Sequence, residues 1–174
     1  MSKSKAQKTK PTTKRGEKPL PSAAAEAFLE ACTKALRKSG ARVTQPRIAV
    51  IRCLASSETP LSARDVFERI QGDKNAPSVD QVSVYRILDT LCELELLHQV
   101  FPSGGYLPCL HQECSSKLHV LIRCSECEFI EELDVPQETL APMIWYLKDE
   151  RGFYPDEHMF QLNGLCSKCK KRSA

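Results

Sequence analysis

Two Cys-x-x-C pairs, Cys124-Ser-Glu-Cys127 and Cys166-Ser-Lys-Cys169, carry the sharpest chemistry in the sequence. A two-residue gap lets both thiolates of one turn reach one ion. Two such turns supply the four sulfurs of a closed tetrahedral zinc site, with Zn–S near ~2.3 Å and no position left for a substrate. A pair of redox motifs would need a thioredoxin-like βαβ context, which the pattern around these cysteines lacks. The remaining reading is four unrelated buried thiols. The gap between the pairs is longer than in a simple zinc ribbon, because a helix and a strand intervene.

A second group is less regular. His98, Cys109, His111, Cys114 and His119 fall within 22 residues, and Glu132 follows on a neighbouring predicted strand. Any one of them alone reads as an ordinary core or surface residue. Together they read as a second metal site with mixed nitrogen, sulfur and oxygen ligands, against the alternative of unrelated side chains. Cys32, Cys53 and Cys92 sit in the apolar stripes of predicted helices, where a cysteine acts as a small buried hydrophobe. The full count of nine cysteines is odd, and the N-terminal segment has no apolar core of the secretory kind. Metal chemistry therefore fits better than a disulfide framework.

These residues need elements to position them. A helix is predicted over Ser22–Ser39, with Phe28, Leu29, Cys32 and Leu36 at helical spacing and Gly40 as its stop. Thr44 reads as the N-cap of a second helix burying Ile48, Ile51 and Leu54, with Pro46 tolerated in its first turn. Ser62 with Asp65 opens a third helix that buries Val66, Phe67 and Ile70, and the loop Gly72–Pro77 ends it. Ser78 with Gln81 has the capping-box pattern of a fourth helix running to about Leu97 and ending at His98. Its apolar face holds Val84, Ile87, Leu88, Leu91 and Leu94. The stretch from Gln99 to Leu107, around Gly104-Gly105, reads as a β-hairpin. Helices followed by a hairpin follow the order of a winged helix-turn-helix, whose second helix enters the DNA major groove.

After Pro108 the pattern changes to a small α+β unit. Strands are predicted at His119–Arg123 and Phe129–Leu133, a helix over Gln137–Arg151, and a last strand at His158–Leu162. So small a unit is marginal alone and gains from a metal or a partner chain. The predicted organisation is a disordered basic tail (1–20), a DNA-binding domain (21–104) and a metal-binding, dimerising domain (105–174).

Charge is uneven along the 174 residues. Seven cations against Glu17 give the first twenty residues +6, so the net +3 of the chain leaves −3 for the rest. The tail's basicity suits a phosphate-binding arm or a solvated leader. No apolar run reaches the roughly 18 residues that span a bilayer, so no membrane partner is expected. An enzyme with catalytic zinc would need an open coordination position and a general base in a pocket, and no nucleophile motif is present.

Gly40-Ala-Arg-Val-Thr-Gln-Pro-Arg47, Leu61-Ser-Ala-Arg-Asp-Val-Phe67, Val82-Ser-Val-Tyr-Arg-Ile-Leu88 and the two cysteine pairs occur in the order found in the ferric uptake regulator family, which the chain resembles from about Ala24 to Cys169. The resemblance implies a bacterial, cytoplasmic metal-responsive repressor acting as a homodimer, or as pairs of dimers, on double-stranded operator DNA. The implied fold is α+β, an N-terminal winged helix-turn-helix followed by a small α/β dimerisation domain with a four-cysteine zinc site. The implied cofactors are one structural Zn²⁺ at Cys124, Cys127, Cys166 and Cys169 and at least one regulatory Zn²⁺ per chain.

Within the family the ligand pattern looks most like that of zinc uptake regulators, which places the regulatory zinc on His98, Cys109, His119 and Glu132. His119 departs from that pattern by lying closer to Cys124, and Lys117 stands nearer the usual place. The contiguous His-His-x-His run of iron regulators is missing. His111, Cys114 and His158 remain for a third metal. For DNA, the resemblance places Tyr85 and Arg86 on the groove face with Ser83 beside them, and Arg42, Gln45 and Arg47 near phosphates. An iron- or peroxide-sensing relative and a zinc-stabilised interaction module without DNA binding are the alternatives.

Overall fold

The computed structural model describes residues 14–15, 22–57, 59–109, 119–155 and 159–172. The chain divides into two compact units, one of residues 16–117 and one of residues 1–15 with 118–174.

The first unit holds four helices and a hairpin: α1 (Ser22–Lys38), α2 (Gln45–Ala55), α3 (Ala63–Gly72), α4 (Gln81–Glu93), β2 (Leu97–Val100) and β3 (Gly105–Pro108). Its core follows the predicted stripes except on α2, where Val50 is buried and Ile48 only half-buried. Phe28, Cys32 and Leu36 of α1 pack with Val50, Ile51 and Leu54 of α2, Val66 and Ile70 of α3, and Val84, Ile87, Leu88 and Leu91 of α4. Burying each large aliphatic side chain contributes about 1.5–3 kcal/mol relative to exposure, which makes this the better-stabilised half. Gly40 takes a left-handed φ of 77° past the end of α1, the conformation that only glycine adopts without strain.

Two caps differ from the reading of the sequence. Ser62 and Asp65 form the predicted capping box, with Ser62 Oγ accepting from the Asp65 N–H at 3.1 Å and Asp65 Oδ2 accepting from the Ser62 N–H at 2.9 Å. The fourth helix, however, is capped by Asp80 rather than Ser78. The Asp80 carboxylate accepts from the Ser83 N–H at 2.9 Å and from the Ser83 hydroxyl at 2.5 Å. Val79 is buried, which keeps this segment extended until Asp80. Thr44 does precede α2, but its side chain makes no capping hydrogen bond.

The fourth helix also ends earlier than predicted. Glu95 adopts a left-handed φ of 58°, and the N–H groups of Leu94, Glu95 and Leu96 fold back onto Thr90, Cys92 and Leu91. The chain then enters β2, which pairs antiparallel with β3 in the register Leu97↔Pro108 to Val100↔Gly105. Both hairpin strands therefore belong with the helices, and the domain limit predicted after residue 104 would cut the hairpin between its strands.

The second unit is a four-stranded sheet of order β1-β5-β4-β6, built from β1 (Lys14–Arg15), β4 (His119–Cys124), β5 (Ile130–Asp134) and β6 (Met159–Gly164). Strands β4 and β5 are antiparallel, and β6 runs parallel to β4 after the crossover through α5 (Gln137–Trp145). Beyond α5 the predicted helix continues as a π-helical turn, Tyr146–Glu150, and α6 (Ser167–Arg172) was not predicted. The tail expected to carry no structure adds one feature, the pairing of Lys14 and Arg15 with Glu131 and Ile130 on the outer edge of β5. An exposed edge leaves unpaired backbone groups that a short extended segment satisfies. Among the described residues of this unit, the buried apolar side chains are few: Val120, Leu121 and Ile130 beside Cys124 and Cys169. No described helix is long and apolar enough to cross a membrane.

Candidate metal centre and nucleic-acid interface

The two cysteine pairs meet because β4 and β6 are neighbours. The first pair sits in the turn leaving β4, closed by the Cys124 N–H on Phe129 O at 2.8 Å and the Glu128 N–H on Cys124 O at 3.0 Å. The second lies where β6 ends and α6 starts, tied on by the Ser125 N–H to Gly164 O at 2.8 Å. All four sulfurs lie within 4.8 Å of one another, and Cys127 Sγ is 3.8 Å from Cys166 Sγ. Four sulfurs at ~2.3 Å from one tetrahedral centre are about 3.8 Å apart. The residues thus fit a zinc ion by donor type, number and spacing.

Backbone amides prepare the site for anionic ligands. The Cys166 N–H points at Cys124 Sγ at 3.3 Å and the Cys169 N–H at Cys166 Sγ at 3.5 Å. The N–H groups of Cys127 and then Cys166 bring the Cys124 thiol down to about 6. Cys166 is also lowered, by the Cys169 N–H first. Cys169 is drawn down by Arg172 but pushed up to about 11 overall by burial and the neighbouring sulfurs.

In the first unit, His98 and Cys109 come together. His98 lies on β2 rather than at the end of α4, and Cys109 follows β3, held by its N–H on Leu96 O at 2.8 Å. Both side chains are buried, and a His98 ring nitrogen and Cys109 Sγ lie within 4.8 Å of each other. Glu132 is buried on β5 of the second unit, 5% exposed, an unusual place for a carboxylate. His119 opens β4. His111, Cys114 and His158 lie outside the described residues. Cys32 is buried and Cys53 and Cys92 are half-buried, as expected of small hydrophobes, and burial raises Cys32 to about 12 and Cys92 to about 11.

The exposed face of α4 carries the residues predicted to meet DNA. Tyr85 is 45% exposed rather than in the core, and Arg86 is exposed beside it. Ser83 is half-buried and gives its hydroxyl proton to the Asp80 cap. Arg42 and Gln45 are exposed at the start of α2, where an Arg47 guanidinium nitrogen donates to Arg42 O. Among the described residues of this unit, the exposed large hydrophobics are Val82, Tyr85 and Phe101, on α4 and on the hairpin turn. Val82 was missed. It precedes Tyr85 by three and lies off the stripe of Val84, Ile87, Leu88 and Leu91, so helical spacing alone puts it outside.

A winged helix with an exposed second helix, joined in one chain to a four-thiolate cluster, defines a metal-binding regulator of the winged-helix class. The profile of the ferric uptake regulator family matches residues 38–161, and the chain belongs to that family of metal-responsive, DNA-binding transcription regulators, which are not enzymes. It is 27% identical to the ferric uptake regulation protein of Bacillus subtilis (strain 168) over 138 residues, 78% of this chain and 90% of that one. It is 23% identical to the zinc uptake regulation protein of Escherichia coli (strain K12) over 142 residues, 82% of this chain and 81% of that one. Its fold is similar to that of a zinc uptake regulator solved in complex with zinc and DNA, with a TM-score of 0.70 and 22% identity over 86% of this chain and 97% of the other.

Proposed function

We propose that this chain is a zinc-responsive regulator of the bacterial cytoplasm that, when zinc-loaded, binds operator DNA as a dimer and represses zinc-uptake genes. The observation that carries the reading is the buried pair His98 and Cys109. Imidazole with thiolate is a donor set suited to Zn²⁺, whereas iron sensors use nitrogen and oxygen ligands. We assign Glu132 and His119 as the other ligands, and keep His111, Cys114 and His158 as a third metal set. Zinc on the first set would supply a closed tetrahedral junction.

His98 and Cys109 belong to one unit, and His119 and Glu132 to the other. Holding all four on one ion limits the freedom of the DNA-binding unit relative to the dimerising unit. In a dimer this fixes the spacing of the two α4 helices, which must match the half-site spacing on DNA. An ordinary coupling of about 1–3 kcal/mol changes DNA affinity about 5–150-fold. Dimers are typical of the family, and the exposed Trp145, Tyr146, Phe153 and Leu162 offer apolar surface for self-association. Exposed Val82, Tyr85 and Arg86 on α4 suit base edges, and Arg42, Gln45 and Arg47 suit phosphates.

The Bacillus relative, at higher identity than the zinc one, favours iron as the second reading. The test is metal stoichiometry with DNA binding followed in parallel, first as free zinc is stepped down in a chelating buffer, then with ferrous iron added anaerobically. One retained zinc per chain plus a removable zinc whose loss abolishes DNA binding is the expected result. Restoration of binding by ferrous iron but not zinc would replace the reading with iron sensing. DNA binding indifferent to every metal would reject both.

A further inference from the structure

The four-thiolate cluster has a cationic neighbour. Arg172, at the end of α6 and three residues beyond Cys169, places Nη2 2.9 Å from the Cys169 sulfur and donates to it. Cys169 is 2% exposed while Arg172 reaches it from the exposed surface. Four thiolates around a divalent ion leave a net charge of −2 on the cluster. The backbone N–H donors on Cys124 and Cys166 are neutral dipoles. Arg172, by contrast, brings a full positive charge to one of the four sulfurs. Across the cluster, the Arg123 guanidinium stands 2.8 Å from the Glu128 carboxylate and is engaged there.

We propose that Arg172 is the positioning residue of the structural metal, holding the Cys169 sulfur in place and compensating cluster charge so that the metal is released slowly. The proposal rests on the four-cysteine zinc reading. Its logic is general: groups that hydrogen-bond to metal ligands fix their orientation and tune their basicity, and losing one costs about 10–100-fold in metal affinity. Arginine suits the task because its planar fork keeps its charge and loses little freedom when it donates. Cys169 sits on a helix of only six residues, too short to hold a ligand rigidly by itself, so it is the ligand in most need of an anchor.

The experiment uses the full-length zinc-loaded chain as wild type, Arg172→Gln, Arg172→Lys and Lys170→Gln. Zinc per chain is measured first. Zinc transfer to excess EDTA is then timed, with thiol alkylation and peptide mass spectrometry reporting which cysteines lose protection. Arg172→Gln should release the zinc guarded by Cys124, Cys127, Cys166 and Cys169 about 10-fold faster or more, with Cys169 unprotected first. Arg172→Lys, which keeps a donor and the charge, should fall between Arg172→Gln and wild type. Lys170→Gln removes an equal charge from the same helix and should match wild type. Release from Arg172→Gln within twofold of wild type would overturn the proposal, as would an equal acceleration in Lys170→Gln. Should Arg172→Gln fail to fold, Arg172→Lys at the wild-type rate would overturn it and release from Arg172→Lys faster than from both wild type and Lys170→Gln would support it. Wild-type protein with no metal on the four cysteines would overturn the zinc reading and the proposal with it.

Discussion

The sulfurs of Cys127 and Cys166 stand 3.8 Å apart although they are 39 positions apart in sequence, with β5, α5 and β6 between them. Two thiolates so close repel each other unless a cation lies between them or protons stay on. In a unit with few buried aliphatic side chains, a metal bound there would become part of the folding free energy, as in other small metal-bound domains.

Cys166→Ser should therefore remove the tightly held zinc and loosen the C-terminal unit, while residues 16–117 keep their own core. Metal analysis with hydrogen exchange checks this. One zinc should be lost, with fast exchange spreading through β4 to β6 and slow exchange surviving in α2 and α4. Full retention of a tight zinc in this variant would contradict the four-thiolate site.

Cys109→Ser separates sensing from stability. It removes the sulfur of the buried His98–Cys109 pair but leaves Cys124, Cys127, Cys166 and Cys169 untouched. The expected outcome is one retained zinc, a near-normal fold and DNA binding that no longer follows free zinc. A zinc titration with fluorescence anisotropy on operator DNA reads this directly. A wild-type zinc response in Cys109→Ser would remove Cys109 from the regulatory set.

On α4, Arg86→Ala should cost about 1–3 kcal/mol with operator DNA and relax base preference at one position. Arg42→Gln and Arg47→Gln should instead weaken all sequences alike and flatten the slope of log affinity against log salt by ~0.9 each. Binding measured at several salt concentrations on operator and scrambled DNA tells them apart. Equal losses on both DNAs for Arg86→Ala would make it a phosphate contact.

Much of this was legible in the sequence because it was local. The apolar stripes of α1 to α4, the Ser62 box, the glycine stop at Gly40 and the spacing inside each cysteine pair depend on neighbours within a turn or two. What escaped depended on distant or competing contacts. Asp80 outcompetes Ser78 as a cap because its carboxylate takes two hydrogens from Ser83. His98 passes from helix to strand because the left-handed Glu95 turns the chain and β3 pairs with β2. The contact of Arg172 with Cys169 needed α6, a helix too short for periodicity to reveal.

The Asp80 cap gives α4 an acid limit. Hydrogen bonds from the Ser83 hydroxyl, then the Ser83 N–H, hold the Asp80 carboxyl below its ordinary value of 3.8. A depressed carboxylate contributes stability that is fully present above the ordinary value and is lost as pH falls through the folded one. Fraying of the first turn of α4 should thus begin only below about pH 4, in the range of unpaired carboxylates. Asp80→Asn keeps a cap without the titration, so its amide exchange at Val84 should lose this acid dependence. An unchanged acid profile in Asp80→Asn would assign the effect to another carboxylate.

The hairpin offers the sharpest test of packing, because two adjacent glycines predict opposite results. A Cβ at Gly105 would lie 2.6 Å from Pro60 Cβ and 3.1 Å from its carbonyl carbon, both parts of a stiff ring and backbone. Next to it, Leu61 and Tyr106 exchange backbone hydrogen bonds at 3.2 and 2.8 Å, so β3 cannot step aside without breaking that bridge. Gly105→Ala should cost about 1–3 kcal/mol as overpacking, or a fall of about 4–8 °C per kcal/mol in the melting of a unit this size. Because Cys109 follows β3, the shift should also weaken zinc-dependent DNA binding. Gly104 has a left-handed φ of 69° and open space around its Cα. Gly104→Asn, the side chain that best tolerates that conformation, should therefore change melting little. Calorimetry on both variants decides the matter, and a Gly105→Ala unit that melts no lower than Gly104→Asn would mean that the contact between β3 and Pro60 is not what holds the hairpin against the helices.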